Sequence, residues 1–209
     1  MQTLKEDVRE KIIDSAKNEF LEKGIERASM RDIAAGSGMT VGNLYRYFKN
    51  KEELNNIIVG KTLDEINKLV LKKSQNTVSI NSSEMDLNMT VQQYMEVLDD
   101  LADELVDIYM KHKIEFNILM MHSKLNDSIT DWFADLIEHI IRSHYTLNEY
   151  EKQIKVLSHG YAVSVFAGIR DMFKNSDLSD GALKDVLKIY FRSYVSNLST
   201  DTARFTEAM

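Results

Sequence analysis

The chain has 209 residues, no cysteine, no proline and a formal net charge of −7. The lack of cysteine excludes disulfides, cysteine nucleophiles and thiolate zinc sites, and a chain with no proline and only 8 glycines favours an all-α fold. The first residues are too charged for a signal peptide, and no apolar run approaches the roughly 18 residues of a membrane span. We therefore expect a cytoplasmic protein without a membrane segment.

The first two predicted helices are short and have recognisable ends. Apolar residues recur every four positions over Val8–Phe20, and Gly24 follows as a stop signal. Ser29–Asp32 has the form of a capping box, so a second helix is predicted to start near Met30. Gly36–Gly38 then ends this helix.

The third and fourth helices follow closely. Thr40 is expected to cap a helix over Val41–Phe48, and Asn50–Glu53 is a capping box that opens a longer helix to about Lys73. The polar stretch 75–89 is expected to be a loop. Further helices are predicted over 90–111, 113–125, 128–144, 147–173 and 178–198, with a loose tail from Thr200. We expect a domain of residues 1–49 and a helical body of residues 50–209 that share the fourth helix.

Cations concentrate around the third helix although the chain is acidic. From Arg27 to Lys51 there are five cations and one anion, Asp32, so this stretch carries +4 and the rest of the chain −11. Two short helices joined by Gly36–Met39 form a helix-turn-helix pattern. A local basic patch on an acidic body is compatible with nucleic acid at one end of the protein.

The third helix carries residue types that suit a DNA duplex. Asn43 and Arg46 have side chains that form paired hydrogen bonds to base edges. Gly42 leaves room for the backbone to approach a phosphate, and the helix N-terminus with the Thr40 hydroxyl offers hydrogen-bond donors to a phosphate oxygen. We therefore expect this helix to bind double-stranded DNA.

In these features the stretch from about Arg9 to Leu54 resembles the DNA-binding domain of the TetR family of transcriptional regulators. The matching residues are Ile12, Ile13, Ala16, Phe20, Gly24, Ser29, Met30, Arg31, Asp32, Ile33, Ala34, Gly38 and the run Leu44–Leu54. Two positions differ from the common pattern: Val41 stands where the family often has lysine or another polar residue, and Tyr47 where it often has histidine.

The resemblance implies an all-α repressor with an N-terminal three-helix helix-turn-helix domain and a C-terminal helical domain that binds an effector and dimerises. Such a homodimer binds a palindromic operator and is released by a small-molecule effector, with no cofactor, no metal and no membrane partner. The DNA-contacting positions that it implies are Ser29, Arg31, Thr40, Gly42, Asn43, Tyr45, Arg46, Tyr47, Lys49 and Lys51.

The C-terminal body gives two further expectations. Methionines and aromatic residues are candidates to line an effector pocket, the alternative being a plain core; they are Met110, Phe116, Met120, Trp132, Phe133 and Phe166. Small residues on one helix and a wide apolar face on the last suit a four-helix dimer interface, the alternative being burial within one subunit; the expected residues are Gly160, Ser164, Gly168, Leu187, Tyr190, Phe191 and Tyr194.

Other function classes have less support in the sequence. No Ser-His-Asp order or Gly-rich phosphate loop stands out, so we do not expect an enzyme. The histidines include no i,i+4 pair of the kind that binds a metal on a helix, so core or pocket positions are expected for them; they are His112, His122, His139, His144 and His159. A helical interaction module of the same fold without DNA binding is the alternative function, and activation instead of repression is also compatible with the sequence.

Overall fold

The computed structural model describes residues 2–81, 91–121, 123–144, 150–174 and 176–207. All regular secondary structure within these residues is helical, which confirms the all-α prediction. The helices are α1 (Gln2–Arg27), α2 (Met30–Gly36), α3 (Val41–Leu44), α4 (Lys51–Asn81), α5 (Val91–Lys111), α6 (Lys113–Met120), α7 (Ser123–His144), α8 (Glu151–Lys174) and α9 (Asp180–Glu207). No helix in this part of the chain combines the length and apolar character of a membrane span.

Helices α4 and α9 continue past their predicted ends, and α7 begins at Ser123, before its predicted start at residue 128. The loop expected over 75–89 is wrong for residues 75–81, which continue α4, while residues 82–89 lie outside the described residues. The tail expected to be loose from Thr200 continues α9 to Glu207. The extensions of α4 and α9, QNTVSIN and TDTARFTE, are mostly polar, so apolar periodicity does not detect them.

Two compact units make up the chain. Unit 1 comprises residues 1–65 and 111–125, and unit 2 comprises residues 66–110 and 126–209. The first part of α4 therefore belongs with the N-terminal helices, whereas its second part belongs to unit 2. The expected domain boundary between residues 49 and 50 stays a prediction.

The core of unit 1 is formed by the N-terminal helices together with α6, which packs against α1. Its fully buried apolar residues include Ile12, Ala16, Phe20, Ile33, Ala34, Leu44, Leu54 and Phe116. At the edge of this core, Lys17 Nζ lies 2.7 Å from Glu115 Oε1. Burial raises the pKa of Glu115, but the hydrogen bond from Lys17 and smaller electrostatic effects outweigh it, so the pKa is lowered. An ion pair thus joins α1 to α6 beside the buried Phe116.

Unit 2 contains a ladder of ion pairs between α5 and α9. The acidic residues of the ladder recur every four positions along α5, and their basic partners recur every four positions in reverse along α9, which fixes an antiparallel register. The rungs are Asp99–Arg192, Asp103–Lys188 and Asp107–Lys184. On another flank of α5, Glu104 lies 2.9 Å from the buried Lys73 of α4. Acidic side chains of α5 therefore join it to two neighbouring helices.

In the core of unit 2, a side-chain hydrogen bond also joins α5 to α8. The Tyr109 hydroxyl donates a hydrogen bond of 3.0 Å to the Phe173 carbonyl, and the two rings pack with their centroids 4.6 Å apart. Tyr109 is buried, so this bond satisfies a hydroxyl that has no access to water.

Reversing one rung of the ladder tests whether it holds α5 and α9 in register. We expect Asp103→Lys to lower the free energy of unfolding by about 1–2 kcal/mol, because a partly exposed attraction becomes a repulsion. The double variant with Lys188→Asp restores the attraction and is expected to recover most of this loss in urea denaturation. Simple addition of the two single destabilisations in the double variant would contradict the pairing.

Candidate nucleic-acid interface

The turn between α2 and α3 is closed by backbone hydrogen bonds. The Met39 N–H donates to the Ala34 carbonyl over 2.8 Å, and the Gly38 N–H donates to the Ala35 carbonyl over 3.1 Å. This pair is the Schellman pattern of a helix C-terminus, which requires a left-handed residue at Gly38. Gly38 has φ +71°, as the sequence predicts. The turn therefore determines the direction in which the chain enters α3.

A second glycine allows α1 to lie close to α2. The Ser15 hydroxyl donates a hydrogen bond of 2.8 Å to the Ile33 carbonyl, and a Cβ atom on Gly36 would lie only 2.4 Å from the same Ser15 Oγ. At the other end of α2, the Ser29 Oγ accepts a hydrogen bond from the Asp32 N–H over 3.1 Å, which confirms the predicted cap and start of this helix.

The third helix is shorter than predicted. The Thr40 Oγ1 caps it by accepting a hydrogen bond from the Asn43 N–H over 3.3 Å, but α3 ends at Leu44, so the prediction of helix through Phe48 is wrong beyond that residue. The chain continues in tighter turns, in which the Tyr47 N–H donates to the Leu44 carbonyl over 2.9 Å. Leu44 and Phe48 are both buried, so this tightening still places the apolar side chains in the core.

Opposite that buried side lies an exposed surface of unpartnered polar groups. Asn43, Arg46 and Lys49 are exposed, and half of the Tyr45 surface is open. Arg31 of α2 is exposed as well. Val41, Ser29 and Tyr47 are half-buried, while Gly42 is exposed with no atom within 4 Å of where its Cβ would lie. In the part of the chain that the structure describes, the side chains of Asn43, Arg46 and Lys49 make no hydrogen bond or ion pair.

The one anion in this basic stretch is already neutralised. Asp32 lies 3.1 Å from Lys23, which also pairs with Glu19 at 2.8 Å. Hydrogen bonds from Ser29 and then Lys23 lower the pKa of Asp32, so its carboxylate stays charged and paired. The neighbouring cations therefore face solvent with little local opposition.

Lys51 has a structural role that the sequence did not reveal. Its ammonium donates to the carbonyls of Ile25 (2.8 Å), Glu26 (3.0 Å) and Ala28 (3.4 Å), just after the break in α1 at Gly24. All three ammonium protons are therefore directed at carbonyls near the end of α1. A phosphate contact by Lys51, as the resemblance implies, would require these bonds to break.

The start of α4 is fixed by a capping box, as predicted. The Asn50 Oδ1 accepts a hydrogen bond from the Glu53 N–H over 2.8 Å, and the Glu53 carboxylate accepts one from the Lys49 N–H over 2.6 Å. The Arg9 guanidinium lies over the Phe48 ring, 5.4 Å from its centroid. The backbone of Lys49 is thus held while its side chain extends into solvent.

The six residues predicted to line an effector pocket do not form one group. Phe116 and Met120 are buried in unit 1, whereas Met110, Trp132, Phe133 and Phe166 belong to unit 2. Phe166 borders a cleft of about 320 Å³ between α7 and α8, lined also by Thr130, Asp131, His159, Val163, Ala167 and Arg170. Phe133 borders a small apolar cavity of about 20 Å³. The residue types alone did not distinguish core from cleft.

The residues predicted for a dimer interface divide between intrachain packing and exposed surface. A Cβ atom on Gly168 would lie 2.0 Å from the Tyr190 hydroxyl oxygen, so the small residue accommodates the chain's own α9. Leu187 and Phe191 are likewise buried within the subunit, which is the alternative that the sequence left open. The Tyr190 hydroxyl donates to the Ser164 carbonyl over 3.1 Å, and burial is the main cause that raises its pKa.

The remaining predicted interface residues are more open. The Ser164 Oγ lies 3.2 Å from the Tyr194 hydroxyl, yet Ser164 itself is exposed, and Tyr194 is half-buried. Gly160 is exposed, with open space where a Cβ would lie. Neither the packing of Gly168 nor that of Tyr190 therefore covers the whole small-residue face of α8.

The described histidines occupy separate environments. His112 Nε2 lies 3.3 Å from Glu65 Oε1, and His159 borders the α7–α8 cleft. His139 is half-buried with its ring edge-on to Tyr94, and burial lowers its pKa. His122 and the side chain of His144, the other two histidines, lie outside the described residues.

Comparison with known proteins relates this surface to a family. Residues 12–56 match the family model described as bacterial regulatory proteins, tetR family. The chain is 29% identical over 103 residues to the uncharacterized HTH-type transcriptional regulator YfiR of Bacillus subtilis, a match covering 49% of this chain and 48% of YfiR. It is 26% identical over 111 residues to the HTH-type transcriptional regulator TtgR of Pseudomonas putida, covering 53% and 52%. The chain thus spans about half the length of the relatives it matches.

A solved structure extends the similarity to the whole fold. The crystal structure of a TetR-like transcriptional regulator from Rhodococcus sp. RHA1 superposes with a TM-score of 0.54 and 16% identity, covering 90% of this chain and 96% of that one. At this identity the likeness shows the fold alone. The named relatives are transcriptional regulators, a class of proteins that bind DNA and do not catalyse reactions.

Replacing Lys51 tests its structural role. We expect Lys51→Met to lower the free energy of unfolding by about 1–3 kcal/mol, because three carbonyls at the end of α1 lose a charged donor. The matched control is Lys49→Met, which removes an exposed lysine without a side-chain partner and is expected to change stability by less than about 0.5 kcal/mol. Equal effects of the two variants in thermal and urea denaturation would contradict the assignment.

Proposed function

From the match of residues 12–56 to the family model of bacterial regulatory proteins, tetR family, we propose that the chain is a cytoplasmic, DNA-binding transcriptional repressor of this family. Two copies bind a palindromic operator, and a small-molecule effector releases them. The observation that carries this proposal is the exposed, unpartnered Asn43 and Arg46 on the open side of a helix-turn-helix whose other side is buried.

The proposed contacts divide into base-reading and phosphate-binding groups. Asn43 and Arg46 read base edges in the major groove, where an amide pairs with adenine and a guanidinium with guanine. The other proposed contacts position the protein on the backbone; they are Ser29, Arg31, Thr40, Gly42, Tyr45, Tyr47 and Lys49. Lys51 is left out of this set because its ammonium is directed at backbone carbonyls of α1.

The proposed dimer uses the open faces of α8 and α9. Val156 is 75% exposed, Val163 is 48% exposed, and Ile189 of α9 is 67% exposed. Val156 and Val163 lie four positions before and three positions after Gly160 on α8, and nothing occupies the space that a Cβ of Gly160 would take. Apolar exposure beside a small-residue position suits close approach of a second helix pair, and a two-fold dimer places the same surface on both subunits.

For release, we propose that the effector binds in unit 2 and acts through α4. The α7–α8 cleft, of about 320 Å³, is at the lower end of the size range of ligand sites. Helix α4 begins beside Phe48 and continues through the division of the units at residues 65 and 66. The effector must bind the DNA-incompetent arrangement more tightly than the competent one. A difference of ~3 kcal/mol changes operator affinity by more than a hundredfold.

A helical interaction module of the same fold is the second candidate. It has the buried core and the exposed apolar face of α8 and α9, but it gives no reason for unpartnered Asn43 and Arg46. Salt dependence distinguishes the two functions, because phosphate contacts make the logarithm of affinity fall steeply with the logarithm of salt concentration. A module that binds only protein is expected to show no affinity for added duplex, even at low salt concentration.

The first test removes the proposed base contacts. We expect the double variant Asn43→Ala, Arg46→Ala to bind its operator about a hundredfold or more weakly, because each good base contact contributes about 1–3 kcal/mol. A duplex selected by the wild-type protein from a random pool serves as the operator, and fluorescence anisotropy reports binding.

The matched control for this variant is Asn67→Ala, Lys68→Ala, which removes another exposed amide and cation, from α4. Its affinity is expected to stay close to wild type. If both double variants bind equally well, the assignment of Asn43 and Arg46 is wrong.

The second test adds a methyl group at Gly42. Because no protein atom lies within 4 Å of the new Cβ, Gly42→Ala is expected to raise stability by about 0.5–1 kcal/mol through helix propensity. Its affinity for the operator is nevertheless expected to fall about tenfold, because the methyl group occupies the space that a phosphate approaches.

Gly60→Ala is the control for the second test, since Gly60 of α4 has equally open space at its Cβ position. It is expected to stabilise the protein without changing DNA affinity. Parallel behaviour of the two variants in both thermal denaturation and anisotropy would show that DNA does not approach Gly42.

A further inference from the structure

The chain passes between its two units at three places. It leaves unit 1 after Glu65 in α4, returns at Lys111 where α5 ends, and leaves again after Leu125. Any change in unit 2 that reaches unit 1 through the covalent chain must enter at one of these places. The residues on the unit 1 side of the first two passages are Glu65 and Lys111.

Those two residues form an ion pair with each other. Lys111 Nζ lies 2.9 Å and 3.1 Å from the two carboxylate oxygens of Glu65, and His112 Nε2 lies 3.3 Å from Oε1 of the same group. Only 24% of the Glu65 side chain and 14% of the His112 side chain are exposed. The hydrogen bond from Lys111 is the first cause that lowers the pKa of Glu65, which keeps the carboxylate charged near neutral pH.

The pair is part of a set of polar side-chain contacts, here called ties, that join helices of unit 1 to one another. Lys51 ties the start of α4 to the end of α1, and Lys17 ties α1 to Glu115 of α6. Glu65 ties α4 to His112, whose carbonyl accepts the Phe116 N–H over 2.8 Å in the first turn of α6. Three helices are thereby joined pairwise, and Glu65 is the tie closest to where α4 leaves the unit.

We propose that Glu65 is a positioning residue for operator binding: by pairing with Lys111 and His112 it fixes α4 against α6 where the chain leaves and re-enters unit 1. The paired arrangement is the one that binds DNA. When α4 moves away from α6, the contacts of Glu65 break. The packing of α1, α4 and α6, which supports the helix-turn-helix, then becomes less stable. The proposal rests on the proposed DNA-binding function and adds a site through which that function is regulated.

The variant Glu65→Gln separates this role from simple electrostatics. Removing a negative charge from a DNA-binding unit strengthens attraction to phosphates, whereas weakening the tie lowers the population of the DNA-binding arrangement. We expect operator affinity to fall about three- to fivefold, because an ion pair of this exposure contributes at most on the order of 1 kcal/mol, which corresponds to about fivefold in affinity. The slope of log affinity against log salt is expected to stay at the wild-type value, because Glu65 does not contact DNA.

Two comparisons make the result specific. Asp99→Asn removes a carboxylate of nearly equal exposure, 22%, from the ion pair with Arg192 in unit 2, and its affinity is expected to stay within about twofold of wild type. The charge-swapped double variant Glu65→Lys, Lys111→Glu restores the attraction and is expected to recover most of the lost affinity. Hydrogen exchange of the Phe116 amide is expected to accelerate in Glu65→Gln and to slow again in the swap.

The remaining outcomes overturn the proposal. Unchanged or tighter operator binding by Glu65→Gln would show that the tie does not position the DNA-binding surface. The same conclusion follows if the swap stays as weak as the single variant, or if Asp99→Asn weakens binding equally. A wild-type protein that binds no selected duplex overturns the proposed function itself, which the wild-type titration distinguishes from failure of the variant.

Discussion

The proposed DNA-binding surface depends on one backbone constraint, the closed turn between α2 and α3. The left-handed conformation of Gly38 allows Met39 and Gly38 to return hydrogen bonds to α2, and this fixes where α3 begins. Because Leu44 and Phe48 are then buried on one side, Asn43 and Arg46 emerge on the other. A different turn would bury or separate these side chains without changing any of them, so the chemistry of the surface follows from the geometry of the backbone.

The distribution of charge complements this geometry. In unit 2, acidic side chains of α5 are used in ion pairs with α4 and α9, as in Asp103–Lys188 and Glu104–Lys73. In unit 1, the single anion of the basic stretch is paired with Lys23, while Arg46 and Lys49 have no side-chain partner among the described residues. A chain with a net charge of −7 therefore presents a local cationic surface, and such a surface attracts phosphates over about a Debye length.

Sequence reasoning succeeded where the determining interactions are local. The caps at Ser29, Thr40 and Asn50 each involve a backbone N–H three residues away, so they are visible in the sequence. Lys51 reaches carbonyls 23 to 26 residues away and Lys111 reaches a carboxylate 46 residues away, and no local pattern indicates either partner. Gly168 illustrates the same limit, since a small residue predicts that a helix approaches but does not reveal that Tyr190 of the same chain fills the space.

Chemical footprinting of a selected operator with dimethyl sulfate tests whether α3 lies in the major groove, because the reagent methylates guanine N7 in the major groove and adenine N3 in the minor groove. If α3 lies in the major groove of two half-sites, guanine N7 atoms are protected in two clusters about one helical turn apart (~34–36 Å). The Arg46→Ala variant then loses protection at one guanine in each cluster. Protection confined to adenine N3, or tight binding without N7 protection, would show that α3 does not lie in the major groove.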